Sequence, residues 1–317
     1  MLKPIRIGIS ACLSGEKVRY DGGHQRDPFL METLGRFVEF VPVCPEAECG
    51  LGIPREAMRL VGDPENPRLV TIHSRKDHTG LMQEWAARRV VALEKEDLCG
   101  FICKSRSPSS GMARVKVYRE DGLGSPRHTG VGLFARAFMA HFPLLPVEDE
   151  GRLQDPVLRE NFITRIFVLR RWRDIAQQKK IGELVEFHTR HKMLFLAHSE
   201  KIYRSLGRLV AQAKQCDPDE LFACYGREIM AALACRPTAK KHCNVLLHML
   251  GYFKKDLSPQ EKQELLEVID RYRQGYLPLI VPVTLLNHYV RKYQQEYLAG
   301  QHYLQPHPVE LKLRNHV

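Results

Sequence analysis

The sequence predicts an α/β N-terminal domain, a mostly parallel sheet with flanking helices, followed by an all-α domain. Three observations predict this. Residues 1–150 alternate short apolar runs with amphipathic segments. Residues 151–317 carry helical periodicities and no strand of weight. The charge divides at the same place: 21 Lys and Arg against 20 Asp and Glu before it, 27 against 17 after it. Almost all of the net +11 therefore belongs to the second half.

The first strand is residues 5–9, followed by a loop at Cys12 and a turn at Gly22-Gly23. Residues 28–38 are predicted helical, because Phe29, Leu30, Leu34 and Phe37 recur at helical spacing. Residues 40–43 form a short buried strand. An irregular stretch with several prolines precedes a strand at Val70-Thr71-Ile72-His73. Residues 81–93 make an amphipathic helix, with Leu81, Trp85, Val90 and Leu93 near one face. Strands at residues 100–103 and 115–118 and a helix over 132–142 complete the domain. The βαβα order predicts parallel strands. A polar break at Glu148-Asp149-Glu150-Gly151 divides domain 1–150 from domain 151–317. Beyond it, helices are predicted at 155–178, 183–207, 218–234, 238–253, 259–275 and 282–297. Asp155 caps the first, with Pro156 at its first position. The tail 305–317, with Pro306 and Pro308, is predicted extended.

Composition excludes several classes. No apolar stretch approaches the ~20 residues that span a bilayer. The chain enters its first strand without the apolar core of a signal peptide, which predicts a cytoplasmic protein with no membrane partner. Nine cysteines in such a chain argue against a disulfide framework, and no CxxC pair supports a zinc site. A +10 half suggests a polyanionic partner.

Three polar segments follow predicted strands: Ala11-Cys12-Leu13-Ser14-Gly15, Cys44-Pro45-Glu46, and Ser105-Arg106-Ser107-Pro108-Ser109-Ser110-Gly111. Loops after strand C-termini share one edge of an open α/β sheet, where ligands bind. These segments are therefore the predicted site.

The run 7–27, with Cys12 and Val18-Arg19-Tyr20-Asp21-Gly22, resembles the thiouracil desulfidase family. So do Cys44-Pro45-Glu46 with Gly50-Leu51-Gly52-Ile53-Pro54-Arg55, and residues 104–111. Residues from about 183 onward resemble the YbgA-like domain through Phe187-His188-Thr189-Arg190-His191-Lys192, Gly251-Tyr252-Phe253-Lys254 and Pro278-Leu279-Ile280-Val281-Pro282. Together the fusion resembles the tRNA 4-thiouridine desulfidases, which leave uridine and hydrosulfide.

The resemblance implies a [4Fe–4S] cluster on three cysteines, its fourth iron open to substrate sulfur. Cys12 and Cys44 match two of the ligands. The third position, in a Ser-Pro-Ser-Cys-Gly motif, is here Ser110. Either Cys103, at the end of the preceding strand, reaches in, or Ser110 ligates as an alkoxide, or the cluster is weak or lost. Glu46 matches an acid/base that activates water or protonates the ring, and Ser107 a residue that positions substrate. Cys49 is a loop thiol. Lys104 and Arg106 face either phosphate or solvent.

In the second half, Arg165, Arg170, Arg171, Arg173, Lys179 and Lys180 surround Trp172 on one helix, a pattern that tracks phosphates beside a stacking ring. This helix is the predicted contact with tRNA. His188, His191 and His198 share a helix and are read as packing or RNA contacts. The expected function is desulfuration of 4-thiouridine in tRNA. The alternatives are a desulfidase of free thiouracil or small thiolated nucleosides, and a non-catalytic RNA- or partner-binding protein with a decayed cluster site. The oligomeric state is not legible.

Overall fold

The computed structural model describes residues 4–121 and 124–316. The chain divides into two compact units, Met1–Asp155 and Pro156–Val317.

In the first unit, β1 (Arg6–Ser10) buries Ile7 and Ile9 completely and runs into a single turn, α1 (Ala11–Ser14). Gly15 ends that turn at φ 104°, a left-handed conformation that suits glycine. The helix predicted over 28–38 is shorter and irregular, one π turn (Phe29–Thr33) followed by a 3-10 turn (Leu34–Arg36). Next come β2 (Glu39–Val43), the short α2 (Pro45–Glu48), and a hairpin of β3 (Met58–Asp63) and β4 (Asn66–Thr71). They are followed by α3 (Thr79–Leu93), β5 (Leu98–Cys103), β6 (Val115–Tyr118), β7 (Arg127–Gly130), α4 (Leu133–His141) and β8 (Val147–Asp149).

Two sheets result. The first has the order β2-β1-β5-β8, all parallel. The second, β4-β3-β6-β7, is mixed. The β3–β4 hairpin falls where the sequence shows only scattered prolines. Pro67 fits because β4 is an edge strand, which can spare one N–H. The strand expected at 70–73 is the end of β4 and stops at Thr71.

In the parallel sheet the chain leaves β1 toward β2 on one side and leaves β5 toward β8 on the other. The loops after β1 and β5 therefore flank a topological switch point, where open α/β sheets bind ligands. One face of β5 packs Phe101 against Phe134 and Phe138 of α4, with Trp85 of α3 behind them. Gly8 is required on β1: a Cβ there would lie 2.2 Å from the Phe101 ring.

The second unit is helical: α5 (Pro156–Ala176), α6 (Ile181–His198), α7 (Glu200–Ala211), α8 (Pro218–Ala234), α9 (Ala239–Leu250), α10 (Pro259–Arg273), α11 (Ile280–Lys292) and α12 (Glu296–Ala299). The single helix expected over 183–207 is broken at Ser199. Its extended backbone ends α6, and its hydroxyl accepts from the Ile202 N–H to start α7. No helix among the described residues is long and apolar enough to cross a membrane.

Candidate active site

Ser10 closes the switch point. Its hydroxyl accepts from the Lys104 N–H at 2.8 Å, tying the end of β1 to the end of β5. The three expected loops then converge on one cleft of about 230 Å³. Cys12, Cys44, Glu46, Ser107 and Ser110 all line it.

Cys12 is buried, and burial pushes its thiol up to about 11. The cations of Lys104 and Arg19 oppose that shift, while nearby Cys44 adds to it. Burial likewise raises Cys44, against the backbone N–H of Ala47 and the charge of Arg55. Each thiol thus stays protonated until a cation or a metal stabilises the thiolate.

Glu46 is held from both sides. Arg55 donates to its Oε2 through Nε at 2.9 Å and also through Nη2. The Ser109 hydroxyl donates to Oε1 at 2.8 Å. Ser109 Oγ in turn lies 3.0 Å from Ser107 Oγ. Ser107, Ser109 and Glu46 therefore form one hydrogen-bonded row along the cleft. The loop carrying it is fixed by close packing: a Cβ at Gly132 would sit 2.5 Å from the Ser109 carbonyl oxygen. Arg55 also donates to the carbonyls of Gly52 and Val18, which binds the loop after β1 to that after β2.

Lys104 is paired with Glu150, which also accepts from the N–H and hydroxyl of Ser105. It is therefore a brace rather than an open phosphate contact. Arg106 is exposed at the rim, and Tyr20, 44% exposed, presents a ring to the same cleft. Read alone, the sequence assigns no role to Arg55, Ser109, Glu150 or Tyr20, although Ser109 lies inside the third segment and Tyr20 and Arg55 inside the runs that carry the family resemblance.

Cys103 does not line the cleft. It is fully buried on β5, where burial and the carboxylates of Asp149, Glu150 and Glu148 hold its thiol well above the usual range. Cys49 is buried behind α2, its thiol donating to the Glu46 carbonyl at 3.4 Å. Among the described residues no three His, Cys, Asp or Glu are placed to hold a metal ion. The cleft is lined by two thiols, Cys12 and Cys44, and by the hydroxyls of Ser10, Ser105, Ser107, Ser109 and the buried Ser110, of which Ser107 and Ser109 belong to the row with Glu46. That mixed set fits a cluster held by two sulfurs and one oxygen.

The basic helix α5 is less open than its sequence suggests. Arg170 is buried against Asp174, and Trp172 packs with Phe187, Phe222 and Tyr225. Burial lowers the Arg171 guanidinium to about 10, and it donates to the Pro306 carbonyl. Arg165 and Arg173 are half-buried. Lys179 and Lys180 are exposed and paired with Asp219 and Glu183. His188, His191 and His198 are packing residues. His191 stacks on Phe187 at 3.9 Å, and the Nδ1 atoms of His188 and His198 meet the Tyr225 hydroxyl and the Cys235 carbonyl.

Comparison with known proteins gives two separate family matches. The 2-thiouracil desulfurase family matches residues 7–150, and the family described as protein of unknown function (DUF1722) matches residues 192–308. YbgA of Escherichia coli (strain K12) is 34% identical over 158 residues, covering 49% of this chain and 94% of its own. YbbK of Bacillus subtilis (strain 168) is 29% identical over 110 residues, 33% of this chain and 72% of its own. Among solved structures, the [4Fe-4S]-dependent thiouracil desulfidase TudS aligns at 26% identity with a TM-score of 0.40, covering 48% of this chain and 94% of that one.

Proposed function

The chain belongs to the 2-thiouracil desulfurase family through its N-terminal half and to the YbgA-like family through its C-terminal half, and from that premise we propose that it removes the sulfur of 4-thiouridine in tRNA. Water replaces sulfur at the thiocarbonyl carbon, giving uridine and hydrosulfide with no net redox change. The observation that carries this reading is Glu46, fixed between Arg55 and Ser109 in a cleft that also holds two thiols.

Cys12, Cys44 and the Ser110 oxygen would hold a [4Fe–4S] cluster, with Cys103 kept apart on β5. Such a cluster, with one iron free of protein ligands, supplies a Lewis acid with affinity for sulfur. The chain's own residues supply the rest. Glu46 takes a proton from the attacking water through Oε1, directly or along the row from Ser107 through Ser109. Arg55 keeps Oε2 occupied, so that Oε1 alone faces the row. Tyr20 offers a face on which an extruded base stacks, and Arg106 meets its phosphate. Exposed cations of the helical unit, among them Arg236, Lys240, Lys254 and Lys255, carry the tRNA. We place the protein in the cytoplasm, where tRNA is.

A second reading, desulfuration of free thiouracil, is favoured by one observation: the cleft is complete within the first unit. Anaerobic assays of the reconstituted protein on 4-thiouridine tRNA and on free thiouracil decide between them. Higher kcat/KM on tRNA supports our reading. Equal or higher kcat/KM on thiouracil overturns it.

A further inference from the structure

The helical unit carries a groove of about 400 Å³ between α11 and the C-terminal segment 304–315, and it plays no part in the chemistry above. Thr284, Asn287 and Arg291 line it from α11, at spacings of three and four that put them on one stripe of the helix. Gln305, Lys312 and Asn315 line it from the segment. Its walls are fixed. The Ile280 N–H donates to the Arg314 carbonyl at 3.1 Å, Arg314 Nη1 to the Tyr303 carbonyl at 2.7 Å, and Arg171 to the Pro306 carbonyl. A groove formed in advance loses little ordering entropy on binding.

The charge of the groove is one-sided. No carboxylate lines it, and Glu310, the nearest acid in sequence, is not among its residues. Arg314 is offset by Glu160 at 2.9 Å. Arg291 and Lys312 are exposed, and among the described residues neither pairs with a carboxylate. Two positive charges are therefore uncompensated. The buried His307, which also lines the groove, registers this field. Burial, then the charges of Arg314 and Arg171, lowers it to about 3, against its bond to the Pro308 carbonyl.

Beside the cations stand three carboxamides, Asn287, Gln305 and Asn315. Each is exposed or half-buried, and among the described residues none hydrogen-bonds within the protein. A carboxamide sets a donor beside an acceptor, the pattern that pairs with a base edge. The cations suit phosphates, which give affinity without sequence choice. In a duplex the bases are already paired, so only an unpaired strand can use both sets of groups. Thr284 to Arg291 spans two helical turns, roughly 10 Å. That exceeds the ~3.4 Å between successive charges of a stacked strand. An acidic peptide would meet the same two cations. A helix and a segment whose only regular element is the 3-10 turn Val309–Leu311 offer no strand edge to pair with its backbone.

We propose that this groove binds a single-stranded stretch of RNA, with phosphates at Arg291 and Lys312 and base edges at the carboxamides. The proposal rests on the reading of the helical unit as an RNA-binding unit and is independent of the desulfuration step.

Fluorescence anisotropy on the full-length protein would compare a short oligoribonucleotide, the same strand annealed to its complement, an oligoglutamate of equal charge, and tRNA without 4-thiouridine. The single strand should bind about tenfold more tightly than the duplex. Lys312 stands at φ 52°, where glycine is favoured, so Lys312→Gly removes the cation and keeps the turn. That variant and Arg291→Ala should each weaken the strand about fivefold at 0.1 M salt and lower the slope of log K against log salt by about 0.7. Asn287→Ala keeps every charge, so it should weaken the strand several-fold with the slope unchanged. Desulfuration of free thiouracil should be unaltered in all three. Equal binding of strand and duplex overturns the proposal, and tighter binding of oligoglutamate overturns it in favour of an acidic peptide. Unaltered strand binding by folded Lys312→Gly and Arg291→Ala proteins overturns the groove alone, provided the native protein binds tRNA. No binding of tRNA by the native protein overturns the groove together with the RNA reading beneath it.

Discussion

The cleft of the first unit and a cavity of the second have nearly the same volume, yet they are built in opposite ways. The cleft is made of loops after parallel strands. Its groups come in short contiguous runs, and its one carboxylate is locked by an arginine and a serine. The cavity of the second unit is walled by helices, and its polar residues are scattered over α5, α6, α9 and the C-terminal segment. Loop runs place thiols, hydroxyls and a carboxylate within bonding reach, which suits making and breaking bonds. Scattered residues on rigid helices hold their positions but form no such row of acid, base and thiol. The difference predicts that substitutions in the cleft act on chemistry and those in the helical unit on affinity.

The largest expected effect is at the thiols. Cys12→Ala or Cys44→Ala should remove iron and activity together, while Cys216→Ala, an exposed thiol of the helical unit, should leave both intact. Iron and acid-labile sulfide assays after anaerobic reconstitution check this. Full iron in Cys12→Ala would break the assignment of the cleft. Cys103→Ala gives a further check, since a thiol outside the cleft should be dispensable for iron.

Next is Glu46→Gln, expected to lower kcat by roughly 10²- to 10⁴-fold, the usual contribution of a positioned acid or base. Iron content should not change. A fall in iron matching the fall in rate would make Glu46 a structural residue rather than a catalytic one.

Ser109→Ala removes one hydrogen bond to a carboxylate, worth roughly 1.5–3 kcal/mol. If that bond matters only in the transition state, kcat falls about 10- to 100-fold with KM little changed. A rise in KM alone would mean that Ser109 positions substrate and passes no proton.

Ser110→Cys should work in the other direction. A thiolate is a softer and stronger ligand for iron than an alkoxide. The cluster should survive air about tenfold longer, equivalent to roughly 1.4 kcal/mol. Cluster decay followed at its visible absorbance measures this. An unchanged half-life would show that residue 110 is not a ligand.

How much of this was legible follows from the same contrast. The parallel strands, their order with helices, and the convergence of the Cys12, Cys44 and Ser107–Ser110 segments can be read in the chain, because each is contiguous. The β3–β4 hairpin was not legible. Its proline is tolerated only because β4 lies at an edge, which is a fact of topology. Arg55 was visible as a residue but not as the partner of Glu46, since nine positions of loop separate them. Cys103 and Ser110 could not be distinguished in sequence, because the pleat of β5 and the turn after it decide which one faces the cleft. On α5, arginines and tryptophan at helical spacing fit a wet basic stripe and a packed core equally well. The aromatic cluster around Trp172 places the tryptophan and Arg170 inside.

That last point gives the smallest and most discriminating prediction. If tRNA is held by phosphate contacts, the residues that matter are exposed cations without partners, not the arginines of α5. Lys240 is exposed next to Thr238, the cap of α9, and Lys254 and Lys255 are exposed after its end. Each phosphate neutralised contributes about −0.7 to −0.9 to the slope of log K against log salt. Lys240→Ala should therefore reduce that slope by about one unit and weaken tRNA roughly fivefold at 0.1 M salt, with desulfuration of free thiouracil unchanged. Arg170→Glu should do something different. It places a carboxylate beside Asp174 in a buried site, so it should lower the melting temperature before it alters any salt slope. A folded Arg170→Glu protein with normal stability and a reduced slope would return α5 to the RNA-binding surface. An unchanged slope in Lys240→Ala, Lys254→Ala and Lys255→Ala would confine the role of the +10 half in holding tRNA to the groove beside α11.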